Sequence, residues 1–150
     1  MAAFRFRLST LLRLRENLRD ECRQQLSAAQ KAEEILVNRI AELNDHLTEL
    51  RKQSRVASQP GSVNVDRLLD AGRYEIMLKA QRQAVDEQWQ VVQSEVERRR
   101  QSLVEADREV KTIEKLRDQQ ITRHRQKENR QEVKQLDASA IQQTFAKEEN

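Results

Sequence analysis

Few residues of this chain could do covalent or metal chemistry. Its only cysteine is Cys22, and its two histidines, His46 and His124, lie far apart in the sequence. A catalytic nucleophile needs a neighbouring base, and a metal site needs Cys, His or Asp residues at short, regular spacing. The sequence shows neither pattern, and its two glycines cannot build a phosphate-binding loop. We therefore expect no enzyme activity, no cofactor and no metal, and we expect Cys22 to pack as a small apolar residue in a reducing cytosol.

The side chains that could bind a partner are basic, and they are concentrated near the two ends of the chain. They are Arg5, Arg7, Arg13, Arg15, Arg19 and Arg23 near the start, and Arg117, Arg123, Arg125, Lys127, Arg130 and Lys134 near the end. Because the net charge of the whole chain is only +3, this positive charge is localised and predicts an acidic binding surface. No zinc-finger spacing, RNA-recognition motif or basic leucine zipper accompanies it, so we do not expect binding to nucleic acid. A solvated charged face without a partner is the alternative.

Two runs of apolar residues must position these groups. The first comprises Cys22, Leu26, Ala29, Leu36, Ile40, Leu43, Leu47 and Leu50, and the second comprises Val85, Trp89, Val92, Val96, Leu103, Ala106, Val110 and Ile113. Steps of four and three alternate in both runs, apart from one position in each that a polar residue occupies, and this is the spacing of a coiled-coil seam. Pro60 and Gly61 lie between them. The sequence therefore predicts the all-α class, as a long antiparallel two-helix coiled-coil hairpin with an extended C-terminal helix overhang.

We expect a single coiled-coil domain over residues 1–150. Helix one is predicted over about residues 9–53, the turn over about residues 54–64, and helix two over about residues 65–145. No stretch approaches the roughly 20 apolar residues that a membrane-spanning helix needs. Membrane contact is therefore expected only through partners.

Folding the chain about its turn predicts which residues face one another. Leu36 is expected opposite Val85, and Leu8 opposite Ile113, where the seam of helix two ends. Ahead of the first run the apolar positions are Leu11, Leu14 and Leu18. From Leu11 through Cys22 to Leu26 the steps are three, four, four and four, which do not alternate strictly, so we expect a stutter at the start of helix one.

One polar residue interrupts each seam: Glu33 in the first run and Arg99 in the second. Buried polar groups can fix the register of a coiled coil at a cost in stability. Alternatively, the stems of these side chains lie along the seam while their charges reach water. We favour the second interpretation.

Apolar residues also lie outside the predicted seam, near both termini. Phe4 and Phe6 are near the start, and Leu136, Ala140, Ile141 and Phe145 return at helical spacing near the end. The hairpin offers these residues no cover. We therefore expect them, together with the basic residues between them, to form one composite docking end.

The order of these motifs resembles the flagellar FliJ family, stalk components of the bacterial flagellar type III export machinery. The opening Phe4-Arg5-Phe6-Arg7-Leu8-Ser9-Thr10-Leu11-Leu12-Arg13-Leu14-Arg15-Glu16 resembles the start of the family. Ile113-Glu114-Lys115-Leu116-Arg117 and Arg130-Gln131-Glu132-Val133-Lys134-Gln135-Leu136-Asp137 resemble its C-terminal signature. The resemblance implies a stalk whose terminal ends insert into a hexameric export ATPase. It also implies contact with the export gate membrane protein and with export chaperones, in the cytoplasm at the inner-membrane base of the flagellum.

Two sources give the predicted partner-binding residues. The resemblance implies Phe4, Phe6, Leu8, Leu11, Glu114, Lys115, Leu116, Glu132, Leu136, Asp137 and Ala140, and the localised charge adds Arg123, Arg125 and Arg130. For Leu8, Leu11 and Leu116 we favour a place in the seam. Two alternatives stay open: the equivalent stalk of a virulence-type injectisome, and a homodimerising coiled-coil tether whose overhang pairs with itself.

Overall fold

In the computed structural model, which describes residues 3–148, the chain forms two long α-helices. Helix α1 runs Ser9–Ala57 and helix α2 runs Val65–Glu148, so both end slightly later than predicted. The two helices pack against each other, which confirms the all-α hairpin. None of the helices formed by residues 3–148 has an apolar stretch long enough to span a lipid bilayer.

The packing separates the described chain into two units. The loop unit takes in residues 20–104, with the turn and the helical segments on either side of it. The terminal unit takes in residues 3–19 and 105–148. The single domain remains a prediction.

Three residues, Pro60, Gly61 and Asn64, account for the turn between the helices. Pro60 cannot continue a helix, and Gly61 adopts a φ of 103°, a backbone conformation that disfavours residues with a Cβ. Asn64 then caps α2, because its side-chain oxygen accepts a hydrogen bond of 3.2 Å from the amide of Arg67. Asp66 adds negative charge to the first turn of α2, where the helix dipole favours it.

The core of the loop unit lies on the predicted seam. Leu43 is fully buried against Leu47 of its own helix and Leu78 of α2, and Leu50 and Val85 pack around them. Every apolar residue of the two predicted runs is buried or half-buried. The alternating spacing therefore identified the contact face of both helices.

Arg99 differs from its prediction, because its charge is not simply directed to water. One guanidinium nitrogen donates a hydrogen bond of 2.7 Å to the backbone carbonyl of Gln25, on the opposite helix. Its Nε donates another, also of 2.7 Å, to the carboxylate of Glu95. A hydrogen bond across the hairpin favours one alignment of the helices, so Arg99 is a register contact. Glu33 is half-buried.

Acid is expected to weaken the loop unit through Glu95. Hydrogen bonds from Arg98 and then Arg99 lower the pKa of this carboxylate from 4.5 to about 2. Since the folded-state pKa is the lower one, the stabilisation is complete above pH 4.5 and is lost as the pH falls towards 2. Glu95→Gln should therefore flatten the pH dependence of the urea unfolding midpoint in this window.

The matched control for this titration is Glu97→Gln, which removes an exposed ion pair with Arg100 on the same helix. The control should keep the pH dependence of the unmodified chain. Equal flattening in both variants would contradict the role of Glu95.

The prediction that the hairpin leaves Phe4 and Phe6 uncovered is wrong, because both lie in or against the core of the terminal unit. Phe6 is only 8% exposed, and it packs with Leu12 of α1 and Val110 of α2. Phe4, Leu8 and Ile113 pack around this cluster, which confirms the predicted proximity of Leu8 and Ile113. Phe4 and Phe6 are therefore covered by the hairpin, because the segment before α1 folds against α2.

The predicted stutter at the start of α1 is also wrong. Leu11, Leu14 and Leu18 are exposed. Instead, the alternating steps of three and four residues continue from Cys22 towards the N-terminus. They pass through Arg19, Arg15, Leu12 and Leu8, all of which are buried or half-buried. Arginine can occupy a seam because its stem is apolar while its charge reaches the surface, and Arg15 does so by donating a hydrogen bond to Glu109 of α2.

Candidate functional site

The segment before α1 covers a part of α2 that was predicted to be bare. The ring of Phe4 lies 5.6 Å from the ring of His124, and the Nε2 of His124 lies 3.2 Å from a carboxylate oxygen of Glu128. Phe4 and Leu8 lie only four positions apart, yet they pack near His124 and Ile113, which lie eleven positions apart on α2. The few residues before Ser9 therefore cover a longer stretch of α2, and half-buried positions continue from Ile113 to Glu128.

The uncovered part of α2 is consequently shorter than predicted. From position 129 to position 147 every residue is exposed. No other segment among the described residues packs there. This bare stretch and the residues just before it form the candidate binding surface.

Four basic residues form a stripe along one side of this surface, which we call the basic stripe. They are Arg123, Lys127, Arg130 and Lys134. Steps of four, three and four residues keep side chains on one face of a helix that has 3.6 residues per turn. All four side chains are exposed, and none of them forms an ion pair with any of the residues 3–148.

Most of the other charges of this segment lie away from the basic stripe, and the exception is Asp137, which follows Lys134 by three positions on the same face. Glu128 and Glu132 follow Arg123 by five and nine positions, which places them on the far side of the helix. Arg125 also points away from the stripe, because two residues of helix turn a side chain by roughly 200°. The basic stripe is therefore one-sided, and the three arginines predicted together do not share one face.

The apolar residues near the end of α2 are uncovered but do not form one stripe. Leu136, Ile141 and Phe145 are all exposed. Phe145 follows Leu136 by nine positions, which is half a revolution beyond two full turns. Leu136 and Ala140 thus share one side of the helix, and Ile141 and Phe145 share the opposite side.

The other predicted site residues have mixed environments. Leu8 lies in the seam as expected, whereas Leu11 and Leu116 are exposed, so a seam position is wrong for both of them. Glu114 is half-buried, and Lys115, Glu132, Asp137 and Ala140 are exposed. Lys127 and Lys134 were counted among the localised basic residues but not among the predicted partner-binding residues, although their spacing from Arg123 places them on its face. The contact of Phe4 with His124 was not predicted, because nothing in the spacing of His124 and Glu128 indicates it.

Residues 4–149 match the family described as Flagellar FliJ protein. Comparisons with curated proteins and with solved structures gave no match. The family match takes in both the N-terminal segment and the bare stretch of α2.

Proposed function

The chain belongs to the flagellar FliJ family and is thereby a component of the flagellar export apparatus, and we propose that its terminal unit docks into a hexameric export ATPase. The protein acts there without chemistry of its own, as a stalk. The observation that carries the proposal is the basic stripe, which is exposed, one-sided and free of ion pairs within the described residues.

Two properties of the bare stretch suit insertion into a larger protein. Unpaired arginine and lysine side chains keep their full field in solution, so they attract an acidic surface before contact and then bind it. Beyond them Leu136 and Phe145 offer apolar surface on two sides of the helix. A helix that is apolar on opposite sides can bury both sides when protein surrounds it, as in the centre of a ring.

A docked stalk can influence an ATPase ring by differential binding. A single asymmetric helix cannot contact six identical subunits in the same way, so its binding free energy differs among them. Contacts that are stronger in one conformation of a subunit shift that subunit towards that conformation. The stalk would thereby bias the hydrolysis cycle without carrying any catalytic residue.

The same proposal includes contacts with the export gate membrane protein and with export chaperones. Both follow from the family resemblance and use surfaces other than the docked end. The chain would then work in the cytoplasm, peripheral to the inner membrane and joined to it through its partners.

The proposal is tested by co-purifying the full chain with a hexameric export ATPase and measuring ATP hydrolysis with and without the chain. We expect a complex that weakens as the salt concentration rises, because the contact is electrostatic. We also expect an altered hydrolysis rate. No complex at low salt, together with an unchanged rate, would reject the docking function.

The tether alternative makes a different prediction in the same experiment. A chain whose overhang pairs with itself would leave the hydrolysis rate unchanged. Its self-association would also be abolished by removing Leu136 and Phe145, for example with Leu136→Ser and Phe145→Ser together. Binding to an injectisome ATPase but not to a flagellar one would favour the other export system.

A further inference from the structure

A second apolar stripe lies on α2 within the loop unit, on the side opposite the seam, and we call it the outer stripe. It comprises Leu69, Ile76, Ala80, Ala84 and Val91. All five side chains are exposed, and Ile76 is 71% exposed. The core residue Leu78 follows Ile76 by two positions, or roughly 200° around the helix, so the outer stripe faces away from α1. The hairpin therefore does not use these residues for its own folding.

The order of residues along this stripe is symmetric about Ala80. Ile76 and Ala84 lie four positions on either side of Ala80, and Leu69 and Val91 lie eleven positions on either side. The charged residues Arg73 and Glu87 lie seven positions on either side of Ala80, on the same face, and have opposite signs.

We propose that the outer stripe is a self-association site, at which a second copy of the chain packs its α2 antiparallel about a two-fold axis at Ala80. In a two-fold interface, a residue that contacts a given position of the partner is itself contacted by that position. Ile76 then meets Ala84 of the other copy, and Leu69 meets Val91. Arg73 meets Glu87 twice, once on each side of the axis.

The outer stripe is assigned to a second copy of the chain because the charges on its face are complementary to themselves about the axis. A two-fold axis that placed like charges opposite each other would oppose association, whereas this one pairs each arginine with a glutamate. Both side chains are exposed, and neither forms an ion pair among residues 3–148. Glu87 accepts a hydrogen bond of 3.1 Å from the neutral amide of Gln83. The small side chain of Ala80 at the axis lets the two helices approach closely.

The inference does not depend on docking to an ATPase, because every residue involved lies in the loop unit. It also differs from self-pairing of the overhang, which would use residues beyond position 128. The short apolar side chains predict a weak dimer, which forms as the protein concentration rises.

The decisive experiment is a charge swap in the full chain, followed by sedimentation equilibrium over a range of protein concentrations. Arg73→Glu and Glu87→Arg should each weaken dimerisation about tenfold, since each places two pairs of like charges opposite one another. The double variant restores both attractive pairs and should return to within about twofold of the unmodified chain. Both positions are exposed, so helicity measured by circular dichroism should not change.

Two results of the charge swap would overturn the proposal. One is an unmodified chain that stays monomeric at every concentration, which would leave the outer stripe to a different partner. The other is a double variant that dimerises no better than the single variants, because the pairing of Arg73 with Glu87 would then be wrong.

Disulfide formation locates the axis independently. In a Cys22→Ser background, Ala80→Cys should form a covalent dimer rapidly with oxidised glutathione, because only the residue on the axis meets its own copy. Gln93→Cys, an exposed position on the same helix but far from the axis, is the matched control. Equal rates for the two variants would reject an axis at Ala80.

Discussion

Replacing Leu43 with alanine is expected to lower the free energy of unfolding of the loop unit by about 3 kcal/mol. Leu43 is 0% exposed and packs against Leu47 and Leu78 in the core of that unit. Truncation removes apolar surface from the core and leaves a cavity that a hairpin of only two helices can close only in part. Urea unfolding followed by circular dichroism measures the change.

The matched control for Leu43→Ala is Ile35→Ala on the same helix. Ile35 is 68% exposed, so its truncation should change the free energy of unfolding by less than about 0.5 kcal/mol. Equal losses in the two variants would show that the core of the loop unit does not depend on the seam. That result would contradict the packing of α1 on α2.

Reversing the charge of Arg123 and Arg130 together is expected to weaken binding to the export ATPase about a hundredfold. Both residues belong to the basic stripe and have no ion pair among residues 3–148. Each Arg→Glu replacement removes an attraction to the proposed acidic surface and adds a repulsion. Titration of the ATPase with the chain, followed by fluorescence anisotropy, measures the affinity at fixed salt.

Arg125→Glu is the matched control for this double variant. It changes the same kind of residue in the same segment, but on the side of α2 that faces away from the basic stripe. We expect it to alter the affinity by less than about threefold. Equal effects at Arg125 and at the stripe would mean that overall charge decides the affinity, and would reject the stripe as the contact.

The hairpin and most of its core could be predicted from the spacing of apolar residues. Leu43 and Val110 were both placed on a seam, and both are fully buried. The prediction succeeds because helix geometry fixes which positions share a face, and because water drives apolar side chains on that face together. The turn could also be predicted from the sequence, since Pro60 and Gly61 are incompatible with a continuous helix.

The start of α1 could not be predicted in the same way, because apolar spacing was misleading there. Leu11, Leu14 and Leu18 suggested a seam, yet the buried and half-buried positions are Leu12, Arg15 and Arg19. A search for apolar residues overlooks arginine, although its long stem packs well beside a partner that accepts its charge. That partner, Glu109 for Arg15, is 94 residues away in the sequence.

The proposed docking surface depends partly on local sequence and partly on the tertiary structure. The sequence contained the basic stripe in full, since the spacing of Arg123, Lys127, Arg130 and Lys134 follows helix geometry without any tertiary contact.

The point at which α2 becomes bare depended on the folded chain. It required knowing that the residues before Ser9 pack along α2, with Phe4 beside His124. Local sequence decides which side of a helix a residue occupies. The cover that a distant segment provides is decided by the path of the backbone, which local spacing does not encode.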